Sequence, residues 1–320
     1  MGTLPEVADE REEGGLTSSG VRSPPHGFEL TPELHELLRG DPPASAVRWC
    51  EGVVGSGAQV VGVAPLPGGT ASAVHAVDVR DSRGHLRRLV LRRFVRSDWL
   101  EEEPDAPGRE ATALEIVGRS AVPTPQLLAL DARAENTDVP ALLMTRLDGS
   151  IVWDPAGLEP FLNRLGAVLP DIHATPIPPD TALPDYEPYQ PRPARPPSWS
   201  SRPVVWQRAF EIFDGPAPAH ERCLIHRDYH PGNVLWSDGA VTGVIDWSCA
   251  SIGSPNADIG HCRVNLAGHI GIEAAERFLE LTGRSDYHPY WDIVAALGGF
   301  EEDDLDARDE DFVAHAVDRF

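Results

Sequence analysis

Eight consecutive residues, His226-Arg227-Asp228-Tyr229-His230-Pro231-Gly232-Asn233, followed after a short hairpin by Ile245-Asp246-Trp247, constrain this chain more than any other feature. Cys223-Leu224-Ile225 before the string and Asn233-Val234-Leu235-Trp236 at its end read as short buried strands, and Ser237-Asp238-Gly239 is a tight-turn signal. Val241 to Ile245 then reads as the return strand that delivers Asp246. A lone Asp after a strand is usually a helix cap or a turn residue. A whole string in strand-loop-strand-turn-strand order asks for more: a fold that brings two carboxylates and one carboxamide together.

That spacing has a chemical reading. Phosphoryl-transfer loops carry a base Asp and a metal-binding Asn five residues apart, with a second metal-binding Asp on the strand that follows. Asp228, Asn233 and Asp246 occupy those positions. Magnesium prefers octahedral oxygen ligands and keeps several waters, so Asn233 and Asp246 plus nucleotide phosphates could hold it. Asp228 would accept a hydrogen bond from an acceptor hydroxyl, orient it in line and take its proton late.

At these residues the chain resembles the aminoglycoside phosphotransferase or choline-kinase-like family of the protein-kinase-like fold, from about Pro65 to about Trp291 and most closely over Leu224 to Asp258. The family's loop reads His-x-Asp-x-x-x-x-Asn with Pro-Gly before the Asn, and its metal strand ends in Ile-Asp-Trp or Ile-Asp-Phe. Gly253-Ser254-Pro255-Asn256-Ala257-Asp258 resembles its next turn, with Asp258 structural. Between Asp246 and Asp258 there is no space for the activation segment with which protein kinases bind peptides, so a small-molecule acceptor is expected and Arg227 is read as a structural donor.

The nucleotide side must work without lysine, since all 27 basic residues are Arg. Kinases hold the α- and β-phosphates with a third-strand Lys paired to a helix Glu. In Leu86 to Phe94, period-two alternation puts Val90 and Arg92 on one face and Arg93 on the other. Arg92 is the expected phosphate cation, with Val90 against the adenine. Some members of the family carry Arg at this place, although a guanidinium is bulkier than an ammonium. The helical pattern of Arg109 to Val117 offers Glu110 as its partner, with Glu115 as the fallback. The resemblance also implies a phosphate loop at Gly68, Gly69, Thr70 and Ser72. It implies a hinge at which backbone of Thr145 and Leu147 meets the adenine edge, with Met144 behind the base.

Past the hinge, Leu158 to His173 shows helical spacing with Phe161, Leu162, Leu165, Val168, Leu169 and Ile172 on the buried side. The proline-rich Pro176 to Pro203 reads as a variable acceptor-binding insertion, in which Tyr186, Tyr189 and Trp199 face a ligand or pack the loop down. His261 to Ala267, Ile272 to Leu281 and a segment from Asp286 through Leu297 look helical. In the family, C-terminal acidic residues contact acceptor amines. The block Glu301 to Asp304 through Asp311 is a candidate for that role or a solvated helix end.

Composition narrows the class. No run reaches the ~18 apolar residues of a membrane span. Met1 to Pro25 is acidic and Gly/Ser-rich without an apolar core, a weakly ordered tail rather than a secretory signal. A formal charge of −23 disfavours nucleic acid and anionic membranes and suits a cationic acceptor, although acidic surfaces also serve solubility alone. Cys50, Cys223, Cys249 and Cys262 show no metal or disulfide spacing and read as reduced thiols of a cytoplasmic protein. His173, His269 and His315 read as packing or surface residues.

The expectation is therefore an α+β, protein-kinase-like, two-lobed fold: a tail over residues 1–25, a nucleotide-binding lobe over 26–145 with an antiparallel sheet and one helix, and a mainly helical catalytic and acceptor-binding lobe over 146–320. The reaction expected is magnesium-dependent transfer of the γ-phosphoryl group of ATP or GTP to a hydroxyl of a small molecule. An aminoglycoside or related antibiotic leads as acceptor; a choline-, homoserine- or sugar-kinase-like metabolic role and a non-catalytic nucleotide-binding scaffold are the alternatives. Oligomeric state is not readable.

Overall fold

The structure, a computed structural model, describes residues 31–320 and, at Asp303, the backbone alone. The expected tail over residues 1–25 lies outside the described residues.

Strand alternation builds the first lobe. β1 (Gln59–Pro65), β2 (Ala73–Arg80), β3 (Leu86–Arg93), β4 (Leu127–Asp131) and β5 (Ala141–Thr145) form an antiparallel sheet in the order β1-β2-β3-β5-β4. Val77, Val79, Leu89, Leu91, Ala141 and Leu143 bury against Ala46 and Cys50 of α2 (Ala44–Val54). Phe94, Leu142 and Met144 belong instead to the main core, which includes Ala111 and Leu114 of α4 (Ala106–Val117). The sheet thus has more cover than the expected single helix: α1 (Pro32–Arg39), α2, α3 (Ser97–Glu102) and α4 all belong to this half. The reason is that a sheet apolar on both faces needs a layer on each.

After Thr145 the chain is mostly helical. β6 (Ser150–Ile151) is followed by α5 (Leu158–His173), whose Phe161, Leu162, Leu165, Leu169 and Ile172 are buried, with Val168 half-buried. α6 (Pro203–Phe213) starts on the last proline of the insertion, where a missing N–H costs nothing. β7 (Cys223–Ile225), β8 (Val234–Ser237), β9 (Ala240–Val244) and β10 (Ser251–Gly253) follow. They form a three-stranded sheet β6-β8-β9 and a two-stranded sheet β7-β10. The loop from His226 to Asn233 therefore joins two small sheets, and Asn233 closes a single 3-10 turn just before β8.

α7 (Pro255–His269), α8 (Ile272–Thr282), α9 (Tyr290–Leu297) and α10 (Ala307–Asp318) complete the second lobe around buried Trp206, Trp247 and Trp291. The fold is two-lobed α+β, an antiparallel sheet lobe joined to a mainly helical one.

Candidate functional site

Arg92 is the centre of the nucleotide side. In β3 it pairs with Val74 of β2 and Leu142 of β5 and is buried. Its Nη1 donates to Glu110 Oε1 at 2.9 Å and to Asp246 Oδ1 at 2.7 Å, Nη2 reaches Asp246 Oδ2 at 3.3 Å, and Nε donates to Ser72 Oγ at 2.8 Å. One guanidinium thus ties the residue before β2, α4 and Asp246, two residues past β9, together, a use of its planar fork that lysine could not make. Desolvation works against the charge, but Asp246 and Glu110 hold the guanidinium protonated more firmly than usual. Burial pushes the Glu110 carboxyl up to about 7, against the pull of Arg92. Glu115 is exposed, so the helix rotation decides for Glu110. Arg93, on the other face, pairs with Asp138.

Asp246 sits just past β9 with φ 63°, a left-handed conformation that Asp tolerates better than most residues and that is concentrated at functional sites. Ser248 Oγ donates to its Oδ1 at 2.7 Å. Despite burial, Arg92 and Ser248 keep its carboxyl below the ordinary range.

The loop opposite is held from beneath. Asp258, fully buried in the first turn of α7, accepts from the backbone N–H groups of His226 at 3.1 Å and Arg227 at 2.7 Å, and lies 2.9 Å from His173 Nε2. This is the structural role expected of it, and it explains His173. The His226 ring lies 2.9 Å from Ile245 O and packs on Trp247, and Tyr229 OH donates to Leu165 O at 2.7 Å. The Pro-Gly of the motif also has a steric cause: a Cβ on Gly232 would lie 2.6 Å from His230 Cε1 and 2.8 Å from Trp153 Cζ2.

Asn233 Nδ2 donates to Asp228 O at 2.8 Å and Asp228 Oδ2 at 2.9 Å. Its nitrogen is therefore committed, and Oδ1 is the atom left to offer a cation. One carboxamide oxygen and the Asp246 carboxylate form a hard donor pair of the kind magnesium shares with phosphates, so these residues fit that ion.

Two imidazoles that the sequence did not single out face Asp228. His261 Nε2 lies 2.9 Å and His230 Nε2 3.6 Å from Asp228 Oδ1. Burial would raise the Asp228 carboxyl, but His230, His261 and His226 bring it well below the usual range. Burial also pushes the His230 imidazole down to about 4. Asp228 Oδ1 and the imidazole nitrogens of His230 and His261 lie within 4.8 Å of one another. His230 Nδ1 faces the Gly232 N–H at 3.0 Å and its Nε2 faces Asn233 Nδ2 at 3.2 Å, so both ring nitrogens already have protein donors beside them.

The phosphate-loop residues form the β1–β2 connection. Gly68 and Gly69 have φ of 86° and 68°, which only glycine adopts without strain. Arg39 of α1, unforeseen from the sequence, donates through Nη2 to the carbonyls of Gly68 and, at 3.1 Å, Gly69. Thr70 lies half-buried in the same turn, whereas Ser72 is fully buried behind Arg92. At the hinge, Val90 pairs with Met144 across the sheet. The Thr145 amide is taken by Gln126 O at 2.9 Å, so Thr145 can offer a base edge only its carbonyl. Leu147 packs where a Cβ on Gly243 would collide with it.

The proline-rich insertion lies against the second lobe. Tyr186 N donates to Ile252 O at 2.9 Å, and the Arg227 guanidinium stacks on Tyr189 at 4.0 Å while donating to Glu187 O at 2.9 Å. Arg227 is thus the structural donor expected. Trp199 is exposed and edges onto Trp206. The acidic block is committed elsewhere: Glu302 binds Arg195 and Ser198 N, Glu310 binds Ser200, Ser201 and Trp206, and Asp306 caps α10. His269 stacks on Trp153 at 3.9 Å and His315 meets Glu276, packing and surface roles as expected.

Among the described residues no helix is long and apolar enough to cross a membrane. No curated protein matches the sequence. Solved structures resemble the fold. A thermostable mutant of aminoglycoside phosphotransferase APH(4)-Ia in ternary complex with AMP-PNP and hygromycin B is 20% identical with a TM-score of 0.54, over 86% of this chain and 96% of that one. The streptomycin-ATP-APH(2'')-IIa ternary complex is 12% identical with a TM-score of 0.51, over 80% of this chain and 86% of that one. The model of the phosphotransferase enzyme family matches residues 62–297, more than half of the sequence and the span that carries Arg92, Asp228, Asn233 and Asp246. This chain therefore belongs to the phosphotransferase enzyme family and is a phosphotransferase with a hydroxyl acceptor.

Proposed function

We propose that the chain transfers the γ-phosphoryl group of ATP or GTP to a hydroxyl of a small acceptor in the cleft between a nucleotide-binding lobe ending at Thr145 and a catalytic lobe beginning at Arg146. The observation that carries this reading is the pairing of Arg92 with both Glu110 and Asp246, together with the bond of Asp228 to Asn233.

In this reading the Gly68-Gly69 turn, with Thr70, covers the phosphates, and Arg92 leaves part of its bond to Asp246 to grip them. Ser72 keeps the guanidinium aimed. Val90 and Met144, side by side on the sheet, form a floor for the adenine, and Thr145 and Leu147 meet its edge with backbone groups. Asn233 Oδ1 and Asp246 would hold magnesium, which supplies charge neutralisation on the phosphates when bound. Asp228 accepts the hydrogen bond of the acceptor hydroxyl, holds its oxygen in line with phosphorus, and takes the proton as the new P–O bond forms and the bond to the departing nucleoside diphosphate breaks. Catalysis is then mostly positioning and electrostatics, because phosphoryl transfer leaves little covalent work to side chains.

A small acceptor is supported by the short path from Asp246 to α7, which holds one 3-10 turn and β10 but no peptide-binding segment. An aminoglycoside or related antibiotic is the leading class, supported by the family, by the ligands of the neighbouring structures and by a net charge of −23. A second reading, an uncharged metabolic alcohol, is favoured by the engagement of Glu302, Asp306 and Glu310 in clamps and caps, which removes them from amine recognition. The protein acts in the cytoplasm, where its four thiols stay reduced.

The test is nucleotide consumption with magnesium across a panel of aminoglycosides, macrolides and cellular alcohols, with wild type beside Asp228→Asn. Acceptor-dependent turnover lost in the variant supports the proposal. No turnover with any acceptor, or full turnover in Asp228→Asn, overturns it in favour of a scaffold.

A further inference from the structure

We propose that His261 is a positioning residue for the transfer: its Nε2–H fixes the Asp228 carboxylate in the orientation that receives the acceptor hydroxyl. The inference rests on the phosphotransfer reading above and extends it to a residue of α7 that none of the sequence motifs includes.

The geometry is specific to His261. An imidazole nitrogen 2.9 Å from a carboxylate oxygen is a hydrogen bond with the proton on nitrogen. His230, the other imidazole near the same oxygen, stands off at 3.6 Å, beyond hydrogen-bond length, so it acts on Asp228 through its field and does not set the carboxylate's orientation. With Asn233 Nδ2 on Oδ2 at 2.9 Å and His261 Nε2 on Oδ1, both oxygens of Asp228 are tied, which fixes the plane of the carboxylate. Each oxygen keeps a second lone pair, and that is what an acceptor O–H can use.

The same turn of helix does both halves of the job. Asp258 and His261 are three residues apart in α7 and so share a face. Asp258 holds the backbone of the loop at His226 and Arg227, and His261 holds its reactive side chain. The depth of this face is set next door: a Cβ on Gly260 would lie 2.5 Å from Trp291 O, so α7 seats against α9 closely enough to leave His261 little freedom. On its outer side the His261 ring is 6.5 Å from the ring of Tyr189, which puts it between Asp228 and the insertion.

The experiment compares His261→Leu, His261→Gln and His261→Asn with wild type, using the best acceptor from the panel. Gln carries its nitrogen about where imidazole Nε2 lies, whereas Asn reaches only to the place of Nδ1. The expected result is a fall in kcat of about 10- to 100-fold in His261→Leu and His261→Asn, the size of effect a small misplacement of a reacting group produces. Fluorescent-nucleotide Kd and Tm should stay near wild type, and His261→Gln should recover most of kcat. If Leu lowers Tm, the Gln and Asn pair carries the comparison, since both are polar and fit the same space. Wild-type kcat in Asn and Leu, or equal loss in Gln and Asn, overturns the assignment while leaving the phosphotransfer reading intact. A wild-type chain without turnover overturns both.

Discussion

Arg92 and His261 each hold an aspartate, Asp246 at 2.7 Å and Asp228 at 2.9 Å, yet they belong to clusters built in different ways. Arg92 is enclosed: one guanidinium takes two carboxylates and a hydroxyl in a buried setting, and its charge is matched on the spot. The His261 side stays partly open to solvent and is made of neutral-capable rings around one carboxylate. The difference teaches that the nucleotide side is preorganised by paired charge, which resists change, while the acceptor side is preorganised by hydrogen bonds, which can be adjusted to a substrate.

The comparison breaks most sharply at Asp228, the point both sides serve. Asp228→Ala should lower kcat by about 10²- to 10⁴-fold with nucleotide Kd little changed, as read by steady-state kinetics and fluorescent-nucleotide titration. A variant with wild-type kcat would show that the histidine side organises nothing.

Next in size is the charge pair. Arg92→Met leaves Glu110 and Asp246 without their cation and should cost about 3–5 kcal/mol in urea unfolding, besides nucleotide affinity. Adding Glu110→Leu should return much of the stability but none of the affinity. If the double variant binds nucleotide as wild type does, Arg92 is only structural.

Asp258→Ala probes the histidine side from below. It orphans two backbone N–H groups that are otherwise satisfied by one carboxylate, at about 1–3 kcal/mol each, and should lower kcat as the loop loosens. Denaturation that matches wild type would exclude it as the loop's anchor.

The smallest effect is expected at Arg39. Arg39→Ala removes hydrogen bonds to the Gly68 and Gly69 carbonyls, worth about 1 kcal/mol, and should raise nucleotide KM by roughly 3- to 5-fold with Tm unchanged. An unchanged KM would confine Arg39 to packing of α1.

How much of this was legible in the chain depends on how each residue is aimed. Arg92 and Asp246 are 154 residues apart, so closeness in sequence is not what made the pair readable. Strand alternation fixed the face of Arg92, the hairpin fixed the place of Asp246, and a buried cation needs a carboxylate. The choice of Glu110 over Glu115 already needed the rotation of α4 against the sheet. Ser72 was expected in the phosphate loop, but it is buried behind Arg92, a partner set by the register that puts Val74 beside Arg92.

His261 shows the limit. Twelve residues of α7 are buried, so its hydrophobic pattern marks no single face, and nothing in its periodicity says which side meets the loop. The one available signal was its position three residues after Asp258. Arg39 lies before the span that matches the family and touches the glycine loop only because α1 folds back along the sheet. The sequence by itself determined the elements around the motif, the motif that makes a phosphotransferase and the residue types at its centre, because those follow from local geometry and ligand chemistry. Only tertiary structure decided which histidine reaches Asp228, which carboxylates are spent on clamps and which arginine braces the phosphate loop, because those contacts are set by how buried helices seat against one another.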